Sequence, residues 1–175
     1  MNRTELEHVL RASADITKEH SFVVIGSQSV LLPFPEAPEE LRVSRELDLY
    51  PAMAPEKAEL IEGAIGALSQ FDETFGYYAD GVGPETAVMP PDWMDHTRLH
   101  YIGKLTVVCP DIHDIALSKA VAAREKDADF VRGLLRHGMV EVARLRERAK
   151  QLPADRCDLA RVRAWLERRI AETTP

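Results

Sequence analysis

From residue 45 to residue 51 the chain reads Arg-Glu-Leu-Asp-Leu-Tyr-Pro, with acids and leucines alternating. In an extended strand successive side chains point to opposite faces. Leu47 and Leu49 therefore project to one side, and Glu46 and Asp48 to the other. A strand with one apolar face must bury it against a second layer. The pattern thus calls for a sheet with a core on one side and an acidic patch on the other. We expect this strand over residues 41–50, ended by Pro51 and Pro55. A second strand is predicted upstream, over the β-branched and aromatic run Ser21–Ile25, which stops at Gly26-Ser27.

The other segments fill in around these two. Residues 3–19 place Leu6, Val9, Leu10 and Ile16 on one helical stripe. Ser27 is expected to cap a short helix over residues 28–32, stopped by Pro33 and Pro35, and the acidic PFPEAPEE stretch is expected to be a loop. A helix is predicted over residues 56–68 with Pro55 in its first turn. Strands are predicted over 74–78, 86–89, 98–102 and 105–109, with DGVGP and MPPDW read as turns. From Asp111 onward the pattern is helical, with breaks near 124–126, at Gly138 and at Pro153, and final helices over 140–152 and 158–170. The order predicts an α+β fold: a small mixed β-sheet core packed with helices, plus a helical C-terminal part. The expected division is an α/β core over residues 1–110 and a helical subdomain over 111–175, packed on that core.

Bulk properties narrow the function classes. At 45% hydrophobic and 29% charged residues the chain is of ordinary globular type. No apolar run nears the roughly 18 residues of a membrane span. The polar, amphipathic start lacks a signal peptide's apolar stretch, so a cytoplasmic protein is expected. Cys109 and Cys157 lie far apart and form no zinc-type cluster. The net charge of −7 argues against a general DNA coater. Its distribution is uneven: residues 1–100 carry a balance of −11 and residues 101–175 a balance of +4. The basic C-terminal part is either a set of solvated helix faces or a surface that attracts phosphates.

Glu46 and Asp48 side by side raise each other's cost of ionisation. A divalent cation offsets that cost, because Mg²⁺ takes hard oxygens from one or two carboxylates and completes its shell with water and substrate phosphates. The alternative is a solvent-facing strand that is merely acidic. Gly26-Ser27 bears on the choice. Glycine at a strand end allows close backbone approach to a ligand, and the next helical turn offers unpaired N–H groups to a phosphate. Further on, Lys119 falls on the border of the inward stripe marked by Ile115, Ala116 and Ala123, where it must either reach water or meet an anion. Asp111 is a plausible cap for that helix, and Asp127 is either the cap of the next helix or a carboxylate orienting Lys119 or Arg124. GVGPET lacks the third glycine and the Lys-Ser/Thr of a phosphate loop, and His96 and His100 lack the HExxH pattern of a zinc helix.

Gly26-Ser27 followed by Glu46-Leu47-Asp48 resembles the nucleotidyltransferase superfamily signature, in which Gly-Ser or Gly-Gly precedes Asp-x-Asp or Asp-x-Glu. More narrowly, the chain resembles the bacterial family DUF6036 and the related AbiEii-type and MenT-type nucleotidyltransferase toxins, over roughly residues 20–150. The second match is the stretch DIHDIALSKAVAAREKDADFVRGLLRHG, with Lys119, Arg124, Lys126, Asp127 and Asp129 at the matching positions. The resemblance implies transfer of a nucleoside monophosphate from an NTP to an RNA, such as tRNA, or to a protein hydroxyl. It implies Mg²⁺ on Glu46 and Asp48, catalytic roles for Asp48 and Lys119, nucleotide binding by Gly26, Ser27, Lys119, Arg124 and Lys126, and support from Asp127. A toxin-like member would pair with an antitoxin. Two features depart from the pattern: Glu46 stands where aspartate is usual, and the spacer before it is long and proline-rich. A third carboxylate is expected nearby, with Glu85, Asp92 and Asp95 as candidates. The rival expectations are a catalytically inactive nucleotide-binding or regulatory module and a purely structural α+β protein.

Overall fold

The computed structural model describes residues 1–173. The chain divides into two compact units: Met1–Thr86 with Thr97–Cys109, and Ala87–His96 with the chain from Pro110 onward.

The first unit is built on a five-stranded mixed sheet of order β3-β2-β1-β5-β4. Strand β1 (Ser21–Ile25) sits at its centre, because SFVVI is apolar on both faces and Phe22, Val24 and Ile25 are almost wholly buried. It pairs antiparallel with β2 (Glu46–Pro51) and parallel with β5 (Leu105–Cys109). Strand β3 (Tyr78–Gly81) joins β2 in parallel, and β4 (Arg98–Ile102) forms a hairpin with β5. Gly103 supplies the hairpin's positive φ of 60°. Helix α1 (Arg3–Thr17) opens with a capping box. The Asn2 side chain accepts the Glu5 N–H, and the Glu5 carboxylate accepts the Asn2 N–H. It buries Leu6, Val9, Leu10 and Ala14 and packs with α2 (Ala58–Ile65) and with β2 and β3.

The fold class is as expected, an α+β arrangement around a small mixed sheet, and β1, β4 and β5 have their expected bounds. Four neighbouring expectations are corrected. Residues 74–78 are not a strand: Ser69 caps the short helix α3 (Gln70–Phe75) by accepting the Asp72 N–H, and Gly76 ends it in the left-handed region. Strand β3 begins only at Tyr78. Residues 86–89 join no strand: Thr86 ends the 3₁₀ turn Pro84–Thr86, and Pro90 and Pro91 follow directly. The strand expected over 41–50 starts at Glu46, because Pro38 opens a 3₁₀ turn over Glu39–Leu41. The helix expected to reach residue 68 stops at Ile65, where Gly66 leaves helical geometry.

The second unit is helical. Helix α4 (Ile112–Ala122) contacts α5 (Glu125–Arg136), α6 (Val142–Ala149) and α7 (Leu159–Thr173). Its central place explains its weak amphipathicity, for five consecutive residues from His113 to Leu117 are buried. The breaks fall where the sequence marks them, at Ala123–Arg124, at Gly138 with φ of 62°, and before Pro153. Leu134, Leu145, Val162 and Leu166 fill the space between the helices.

Candidate active site

The acidic face of β2 carries Glu46 and Asp48, both part-exposed, while Leu47 and Leu49 on the opposite face are fully buried. Antiparallel register sets Ile25 beside Asp48, so the chain leaves β1 next to that carboxylate. Gly26 makes the approach. A Cβ built on it would lie 1.8 Å from Asp48 Oδ2 and 2.6 Å from Cγ, and its φ is +79°. Only glycine fits there. Gly26, not Ser27, occupies the cap position of the following 3₁₀ helix, Ser27–Leu31, and it offers no side-chain cap. The expected Ser27 cap is thereby corrected, and Ser27 enters as the first helical residue. The turn is braced by Ser29 Oγ, which donates to the Gly26 carbonyl at 2.7 Å, and by the buried Gln28 amide, which donates to the Leu41 carbonyl at 3.1 Å.

A third carboxylate stands beside the pair. Parallel register sets Glu46 against Tyr78 and Asp48 against Asp80, so these four side chains share one face of the sheet. Asp80 was not among the expected acids. Its signal was the alternation Tyr78-Ala79-Asp80, with Ala79 buried, but DGVGP reads as a turn and hides it. Of the acids that were expected, Glu85 lies in the 3₁₀ turn Pro84–Thr86. Its charge reaches Tyr50, the next residue along the acidic face, whose hydroxyl is pushed up first by burial and then by Glu85. Asp92 and Asp95 belong to the second unit. There Asp92 takes the Arg148 guanidinium at 3.0 Å and the His96 ring at 3.2 Å.

Tyr78 Oη donates to Glu46 Oε2 at 3.1 Å. Burial, then the Glu46 charge and this hydrogen bond, push the Tyr78 phenol up to about 12, so it stays protonated at neutral pH. Among the described residues no three His, Cys, Asp or Glu side chains form a metal cage of their own. Mg²⁺ requires no such cage, since it binds through one or two carboxylates plus phosphate oxygens. Two hard-oxygen side chains on one face, with backbone pressed against one of them, suit it.

The cations expected to meet phosphate lie in the second unit. Asp111 caps α4 by accepting the His113 N–H at 2.9 Å. Arg124, not Asp127, occupies the cap position of α5, because that helix starts at Glu125; Asp127 is its third residue and bonds back to the cap. Its Oδ2 accepts the Arg124 N–H at 3.1 Å and the Arg124 Nε at 2.8 Å, and its Oδ1 lies 3.7 Å from Lys119 Nζ, as the orienting carboxylate expected. The Asp127 side chain is 2% exposed and that of Lys119 12%, so the lysine is held by a buried carboxylate and does not extend into solvent. Arg124 is half-exposed and Lys126 exposed.

A mixed sheet whose central strand ends in a glycine turn against an acid-x-acid strand defines a nucleotidyltransferase-like core. The chain belongs to the family described as nucleotidyltransferase of unknown function (DUF6036), whose sequence pattern matches residues 4–167. No curated protein and no solved structure matches the chain.

Proposed function

We propose that this protein transfers a nucleoside monophosphate from an NTP to a hydroxyl of an RNA, such as tRNA, or of a protein, with Mg²⁺ held by Glu46 and Asp48. The observation that carries this reading is the Gly26–Asp48 contact, where a Cβ would fall 1.8 Å from the carboxylate oxygen. Backbone so close to an acid places the donors of the following turn beside the acidic face, as a phosphate next to a metal ligand would need. When bound, the cation would neutralise phosphate charge and polarise the α-phosphorus. Gly26 and Ser27 seat phosphate oxygens. Asp80 serves as a further carboxylate, aligning the attacking hydroxyl and accepting its proton. Lys119, Arg124 and Lys126 act as phosphate ligands, and Asp127 holds Lys119 and Arg124 in place. Positioning and charge neutralisation supply most of the acceleration. A toxin-like role with a cognate antitoxin is the biological form we propose.

A second reading, a nucleotide-binding or regulatory module without chemistry, draws on Glu46 standing where the superfamily pattern has aspartate. One assay separates the two. The protein is incubated with each α-labelled NTP, Mg²⁺ and total bacterial RNA or lysate, beside Asp48→Ala and Lys119→Ala. Transfer lost in both variants supports the enzyme. Nucleotide binding by calorimetry with no transfer to any acceptor supports the module, and absence of both overturns the two together.

A further inference from the structure

Replacing aspartate by glutamate lengthens the side chain by one methylene and adds a rotatable bond. An unrestrained Glu46 carboxylate would sweep a wider arc than an aspartate at the same place, and a metal ligand needs its oxygens fixed. The neighbouring strand supplies the restraint. Parallel pairing sets Tyr78 beside Glu46 on the same face, and the Tyr78 hydroxyl donates to Glu46 Oε2 at 3.1 Å. A carboxylate has about four lone-pair sites, so it can accept a phenol and still ligate a cation.

Tyr78 is itself anchored from the residue that precedes Glu46. Its N–H donates to the Arg45 carbonyl at 3.0 Å. The Arg45 guanidinium reaches the Gly76 carbonyl at 2.6 Å and pairs with Asp72. Arg45 thus ties the start of β2 to the end of α3 and to the turn that delivers Tyr78. The phenol is brought to Glu46 by a braced corner of the fold.

We propose that Tyr78 is a positioning residue for the metal site, which compensates for glutamate at position 46 by holding its carboxylate in the place a shorter aspartate would occupy unaided. This rests on the assignment of Glu46 as a metal ligand. It differs from a plain strand-to-strand hydrogen bond in one consequence: the phenol matters to the metal only when residue 46 is glutamate.

A double-mutant cycle reads that consequence. Mn²⁺ affinity is measured by electron paramagnetic resonance, with a non-hydrolysable NTP analogue present, for wild type, Tyr78→Phe, Glu46→Asp and the double variant. Thermal melts run alongside. Loss of an outer-shell partner typically weakens metal binding by about tenfold or more. Tyr78→Phe is expected to show such a loss in the Glu46 background and none in the Glu46→Asp background, where the shorter carboxylate falls short of the phenol. Wild-type Mn²⁺ affinity in Tyr78→Phe, or an equal loss in both backgrounds, overturns this assignment alone. A wild type that takes up no Mn²⁺ overturns both it and the function on which it rests.

Discussion

Gly26 and Asp48 constrain one another. Gly26 sits where φ is +79° and where any side chain would strike Asp48. Gly26→Ala should cost about 1–3 kcal/mol from the positive-φ extended backbone alone, before the clash. Because the clash displaces Asp48, Mn²⁺ affinity should fall together with the denaturation midpoint. Loss of stability with full metal affinity would mean that the glycine serves folding only. Asp111 illustrates a different balance. Burial is the largest single influence and pushes its carboxyl up, but hydrogen bonds from the His113 ring and N–H, and the charges of His113 and Arg144, together hold it at about 2. A carboxyl depressed in the folded state stabilises the protein above its unfolded value of about 3.9. That contribution is lost as pH falls from there through about 2. Asp111→Asn should flatten the stability profile in that window, as read by denaturant unfolding at each pH.

At the scale of elements, a buried ion pair organises the helical unit. Arg148 on α6 donates to Asp114 on α4 at 2.8 and 2.6 Å, and its third nitrogen takes Asp92 at 3.0 Å. Asp114 is fully buried, and burial raises its pKa while Arg148 pulls it back down. Arg148→Met strands that acid and should cost about 3–5 kcal/mol, whereas Asp114→Leu with Arg148→Met should recover most of the loss, because breaking a buried pair costs more than replacing it. Denaturant unfolding of both variants tests this. No local pattern foretells the pair, since its partners come from segments 34 and 56 residues apart. Legibility elsewhere follows the same rule. Strands β1, β4 and β5 were readable to the residue because each is followed directly by a glycine or a proline, Gly26, Gly103 and Pro110. Glu46 and Asp48 sharing a face followed from strand parity alone. Asp80 did not, because its importance depends on the β2–β3 register, and a strand expected at residues 74–78, with DGVGP read as a turn, displaced the strand that carries it. Of the two roles the sequence leaves open for Asp127, the orienting one is present; the cap fell to Arg124 because the helix begins three residues earlier than residue 128.

At the scale of the whole molecule, charge separates along the chain, from a balance of −11 over residues 1–100 to +4 over residues 101–175. Among the described residues no helix is long and apolar enough to cross a membrane. If the acceptor is RNA, the basic C-terminal part should supply its contacts, and association should weaken steeply as NaCl rises, as counterion release dictates. A salt-independent affinity would point instead to a protein acceptor. The central claim is that α-phosphoryl chemistry takes place on the acidic face of β2. It is tested most directly by supplying NTP labelled at either the α- or the γ-phosphate to wild type and Asp48→Ala, with Mg²⁺ and total bacterial RNA or lysate. The α-label should enter the acceptor while the γ-label leaves in pyrophosphate, and both events should vanish in Asp48→Ala. Entry of γ-label into the acceptor, or transfer that survives Asp48→Ala, would contradict it.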